Sequence, residues 1–167
     1  MDIKKVISDV ESSRQYKAFI KDNPEHYLVH LFSMMDTLHQ KDWQIGYYSK
    51  KTDRITVFDC KDDGSIEIMP PQEAFKEKNY IESLDIVKVK ISKEEATKTT
   101  EKVLKESYGA ESLNKVIMLL QNLPEYGQIW NLTIVTATFS VINIKIDAVT
   151  GKVVKHSKES LLGWKKE

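Results

Sequence analysis

The chain has 167 residues, 41% of them hydrophobic, and its 25 Lys and Arg balance its 25 Asp and Glu. That composition suits a folded core and excludes a net field that would gather nucleic acid or an anionic membrane, so neither is expected as a partner. The single cysteine, Cys60, excludes an internal disulfide and a cysteine-rich metal site. With no leader-length apolar run at Met1–Ile7, it points to a cytoplasmic protein.

Ser8-Asp9-Val10-Glu11 has the spacing of a capping box and predicts a helix running to about Lys21. Asp22-Asn23-Pro24-Glu25 then offers caps and a first-turn proline. Tyr27, Leu28, Leu31, Phe32, Met35 and Leu38 follow at helical spacing, predicting a second helix. Trp43 opens a β-rich stretch, the polar Ser49–Asp53 segment turns it, and Asp63-Gly64 marks a tight turn before Ile66–Ile68. Pro70-Pro71 and the charged segment 72–79 read as a connector, and Asp85–Ile91 as an added strand.

Ser92-Lys93-Glu94-Glu95 repeats the capping box and predicts a helix to about Tyr108. After Gly109, the spacing of Leu113, Val116, Ile117 and Leu120 predicts a second helix. Trp130 opens another β stretch. Leu132, Ile134, Ile142, Ile144 and Ile146 share even parity, so a hairpin bent near Thr138-Phe139-Ser140 needs an odd loop to present them on one face. Asp147 and Gly151 form a last turn before Val153-Val154, and a tail with Trp164 follows.

Trp43 and Trp130 are 87 positions apart, as are Gly64 and Gly151, whereas Ile7 and Ile91 are 84 apart. A duplication accounts for this economically. The expected division is a first unit over 1–70, a connector over 71–84, and a second unit with a C-terminal tail over 85–167. Within the second unit, Ile91-Ser92-Lys93-Glu94-Glu95-Ala96, Trp130 and Ile144–Val153 resemble a PepSY-type domain; the likeness spans Ile91–Lys155. The resemblance implies two tandem cystatin-like units of an α+β fold, each a helical pair on an antiparallel β-sheet. It also implies a binding or inhibitory role without catalytic residues.

Candidate chemistry is sparse. His26 and His30, four apart on the predicted helix, would share a face, but two imidazoles are not a metal site and the segment lacks the glutamate of a zinc peptidase helix. Asp59, Asp62, Asp63 and Gly64 invite comparison with a calcium loop, yet Lys61 and Pro70 stand where carboxylates are needed, and a hairpin turn is the simpler reading. Asp147 reads first as an aspartate that fixes its turn. No glycine-rich phosphate loop or dinucleotide fingerprint occurs, so no cofactor and no catalytic residue is expected.

The expectation is a noncatalytic module, regulatory or inhibitory, that binds a peptide or protein, with strand-edge addition as its natural mechanism. Asp147, Trp164, His26 and His30 are the candidate binding residues. Two alternatives stand beside it. One is a small-molecule binder or enzyme with a pocket between helices and sheet. The other is a structural subunit that hides its sheet by homodimerisation.

Overall fold

The computed structural model describes residues 2–36, 42–74, 80–109 and 111–162. Helix α1 (Ile3–Ser12) starts at Asp2, whose carboxylate accepts from the Lys4 amide, six residues before the predicted box at Ser8. Ser13 ends it and caps α2 (Arg14–Asp22): its hydroxyl donates to the Val10 carbonyl and accepts from the Tyr16 amide. The box at Ser92 forms as expected and opens α3 (Lys93–Ser107), with Ser92 and Glu95 satisfying each other's amides.

The strands are β1 (Tyr27–Met35), β2 (Trp43–Ser49), β3 (Arg54–Cys60), β4 (Ile66–Ile68), β5 (Gln72–Glu73), β6 (Leu113–Leu123), β7 (Gly127–Thr136), β8 (Ser140–Asp147) and β9 (Val153–Ser160). Among the described residues they form one sheet in the order β4-β3-β2-β1-β6-β7-β8-β9, with β5 also on β3, and these pairings are all antiparallel.

This overturns the expectation of two tandem cystatin-like α+β units. Among the described residues the fold is mainly antiparallel sheet with three short helices. The segments predicted as second helices, around Tyr27–Leu38 and Leu113–Leu120, hold strands β1 and β6 instead. Left apart, those two strands would each expose a long row of unpaired amides and carbonyls. Pairing Ser33 with Met118 and Leu31 with Leu120 joins them and removes both edges.

Bulges explain why helical spacing misled. Between Leu28 and His30 the register of β1 shifts, so Leu28 and Leu31, three apart, reach the same face. A second irregularity between Leu113 and Lys115 does the same for Leu113 and Val116. Strands with bulges at these points mimic the i, i+3 pattern of a helix.

One face of the sheet packs on the helices. Its core joins Val6 and Val10 of α1 and Ala96 and Val103 of α3 to Leu31, Ile45, Phe58, Met118, Leu120, Leu132, Ile134, Ile142 and Ile144, drawn from both sides of Pro70-Pro71. The β7–β8 loop holds three residues, and Leu132, Ile134, Ile142, Ile144 and Ile146 are all fully buried on this face. The opposite face is covered only in part. Val29, Tyr48, Ile55 and Val57 make a second cluster there with Met69, Ala74, Tyr80 and Ile81. The described parts of the expected connector, 71–74 and 80–84, thus form a strap against the sheet, and 75–79 lie outside the described residues. The Tyr27 hydroxyl donates to the Ile81 carbonyl at 2.6 Å, the Leu84 amide to Leu28, and the Asn122 side chain to the Ser83 carbonyl. Asp85–Ile91, expected as a strand, contains a turn, with the Lys90 and Ile91 amides on the Ala148 carbonyl.

Candidate functional site

Beyond the strap, the second face is open among the described residues. Register places His30, Phe32 and Met34 of β1 beside Gln121, Leu119 and Ile117 of β6, and Asn131, Thr133 and Val135 of β7 continue the row. Val141, Asn143 and Lys145 of β8 complete it. Phe32, Ile117, Leu119, Val135 and Val141 are half-buried by their neighbours alone, and Met34 is 49% exposed. Towards β8 the surface turns polar: the Asn143 amide donates to Asn131 Oδ1 at 2.8 Å and to Thr133 Oγ1 at 3.2 Å, and Lys145 donates to Asn143 Oδ1. Burial, then the neighbouring Lys155 charge, lowers the Lys145 pKa.

Among the described residues, pairing between β1 and β2 ends at Phe32 and Gln44, whereas β1 runs on beside β6 as far as Met35. Where β1 and β2 part, a cavity of about 310 Å³ is lined by Phe32, Ser33, Met34, Asp42, Trp43, Gln44 and residues 59–62. Phe32 and Met34 belong also to the open face, so the two features are continuous.

The cavity is acidic. The neighbouring Asp62 carboxyl, first of all, then burial and the Asp59 charge, raise the Asp42 pKa. Lys61 is engaged by Asp59 at 2.7 Å and by Glu67 at 3.5 Å. Cys60 is half-buried; burial and the Asp59 and Asp9 charges push its thiol up to about 11, so it is protonated at neutral pH and inert as a nucleophile. Among the described residues, the lining side chains of Ser33 and Trp43 carry buried polar atoms, Oγ and Nε1, without a hydrogen-bond partner. Leaving each unpaired costs on the order of 1–3 kcal/mol. Trp130 differs: its indole N–H donates to the Ile91 carbonyl at 2.9 Å.

The residues expected from sequence do not gather here. His26 precedes β1, its ring 4.8 Å from that of Phe19 on the helix side, with Nδ1 3.2 Å from the Asn23 carbonyl oxygen. His30 is on β1 and lies over Gly46 on the opposite face. The shared helical face expected for them does not exist. Burial lowers the His30 pKa to about 4, so the ring is neutral. Asp147 accepts from the Val149 and Thr150 amides at 2.7 and 3.0 Å and fixes the turn before β9. Asp63 does likewise for Ser65 at 2.8 Å. Trp164 lies outside the described residues.

Sequence reasoning noticed Asp59 and Asp62 but missed Ser33, Asp42 and the lone N–H of Trp43. The β2–β3 register, Trp43 opposite Cys60, is the signal that brings Asp42 toward Asp62.

No family model matches the chain, and no curated protein matches it in sequence. Among solved structures, a candidate lipoprotein from Clostridium difficile 630 is similar in fold, with a TM-score of 0.52 and 16% identity over 87% of this chain and 90% of that one. At that identity the likeness concerns the fold alone. Among the described residues no helix is long and apolar enough to cross a membrane.

Proposed function

We propose that this chain is a noncatalytic binding protein whose peptide or protein ligand lies on the open face of the sheet, across β1, β6 and β7. The observation that carries the reading is the unequal covering of the two faces. Helices coat one side, the strap coats one end of the other, and Phe32, Met34, Ile117 and Leu119 are left as an apolar row with a polar flank.

The face is a better seat than the edges. At one edge β4 has three residues, and Gln15 of α2 donates to its Ile66 carbonyl. At the other, β9 bears Lys155, Lys158 and Glu159, charges that discourage an added strand. The pocket-enzyme alternative needed His26, His30 and Asp147 to converge, and they are held apart by separate structural contacts.

The test is selection of binders from a random peptide library, followed by mapping of amide shifts. Binders that perturb β1, β6 and β7 and lose at least tenfold in affinity on Leu119→Lys support the reading. Binders that map to the helices, or ignore that substitution, contradict it. A cytoplasmic working place is a further part of the proposal, supported by the free thiol of Cys60. Cell fractionation tests it: recovery of the protein with the cell envelope would contradict a cytoplasmic working place.

A further inference from the structure

We infer that the cavity between β1 and β2 is the subsite for a cationic nitrogen of the bound peptide, a side-chain ammonium or guanidinium or the N-terminal ammonium, with an adjoining peptide carbonyl. This deepens the proposed function and rests on it.

The first ground is charge. Among the described lining residues, Asp42, Asp59 and Asp62 stand against one lysine, Lys61, which Asp59 and Glu67 already engage. The neighbouring Asp62 carboxyl, burial and the Asp59 charge hold the Asp42 carboxyl above its usual range, so these acids crowd one another in the cavity. A ligand cation placed among these carboxyl groups relieves that crowding of like charge. Among the described residues no three His, Cys, Asp or Glu side chains are placed to hold a metal ion. A cavity of about 310 Å³ also fits an organic cation better than a bare one.

The second ground is independent of charge. Ser33 and Trp43, which are 2% and 1% exposed, both line the cavity, and Ser33 Oγ and Trp43 Nε1 have no partner. A hydroxyl can accept from an N–H or donate to a carbonyl, and an indole N–H only donates. The complement is a group bearing both an N–H and a carbonyl oxygen, as a peptide does. Continuity with Phe32 and Met34 selects a ligand with apolar residues next to its cation.

The full chain is titrated, by NMR, with N-acetyl-arginine amide, with N-acetyl-norleucine amide as its uncharged counterpart, and with leucine amide, whose only cation is the α-ammonium. The expected result is saturable movement of the Trp43 indole N–H and the Ser33 and Asp62 amides with a cationic probe, little with the neutral one, and at least tenfold weaker binding in Asp62→Asn. Response to arginine but not leucine amide assigns a side-chain cation, and the reverse assigns the N-terminus. Trp43→Phe, which retains an aromatic ring, weakens binding without lowering the melting temperature if the N–H serves the ligand. Equal shifts with charged and neutral probes, or unchanged affinity in Asp62→Asn, overturn the inference. Leu119→Lys separates the two claims: it abolishes peptide binding on the face but leaves the arginine-amide titration intact. Loss of the subsite with Leu119-dependent peptide binding preserved defeats this inference alone.

Discussion

The imidazole of His30 lies over Gly46 of the neighbouring strand, so that a Cβ built at Gly46 would fall inside the envelope of three ring atoms. His30 and Gly46 are register partners next to the β1 bulge. The glycine is therefore needed for space and not for an unusual backbone angle. Gly46→Ala is expected to destabilise the fold by about 1–3 kcal/mol in urea unfolding, the cost of overpacking. In a His30→Ala background the same change costs much less. Equal costs in both backgrounds would contradict the contact.

The same ring gives the fold an acid sensitivity. The folded His30 pKa is about 4 against an ordinary value near 6.5. Above about pH 6.5 both folded and unfolded chains hold it neutral. As pH falls below that, only the unfolded chain gains the proton, so stability declines by up to ~1.4 kcal/mol per pH unit until about pH 4. His30→Gln removes this part of the decline, as denaturant midpoints measured from pH 7 to 4 will report. An unchanged slope would exclude His30 as its source.

The rings of Trp43 and Trp130 pack 6.2 Å apart in one core, yet only Trp130 has a partner for its N–H. Trp130→Phe strands the Ile91 carbonyl and is expected to cost about 1–2 kcal/mol more than Trp43→Phe. Paired denaturation curves measure the difference directly.

Asp147 anchors a turn whose Gly151 has φ 81°, with Ile91 Cδ1 3.1 Å from where a Cβ would stand. Asp147→Ala is expected to lose about 1 kcal/mol of stability. Peptide affinity on the open face should be unchanged. A large loss of affinity with little loss of stability would return Asp147 to the candidate binding residues.

Much of the second half is legible in the sequence because its strands keep strict alternation. Leu132, Ile134 and Ile142–Ile146 declare their face, and Ser92 with Glu95 declares a helix start. The first strand of each half is not legible in this way, because a bulge breaks the two-residue period where the apolar residues are read. Ser8 has capping-box spacing but lies inside a helix that Asp2 begins, since the buried Ile3, Val6, Ile7 and Val10 extend the apolar stripe upstream. The cavity escaped for a different reason. Its carboxylates come from residue 42 and from residues 59–62, which only the β2–β3 register brings together. Local motif spacing carries no trace of that meeting.

The pairing of β1 with β6 makes one sheet and one open face out of the two halves, and cross-strand proton contacts in a nuclear Overhauser spectrum test it most directly. Contacts between Leu31 and Leu120, Ser33 and Met118, and Met35 and Val116, with slow amide exchange along both strands, are the predicted result. Absence of all three contacts, with fast exchange on the facing edges of β1 and β6, would contradict the single sheet and the binding face built on it.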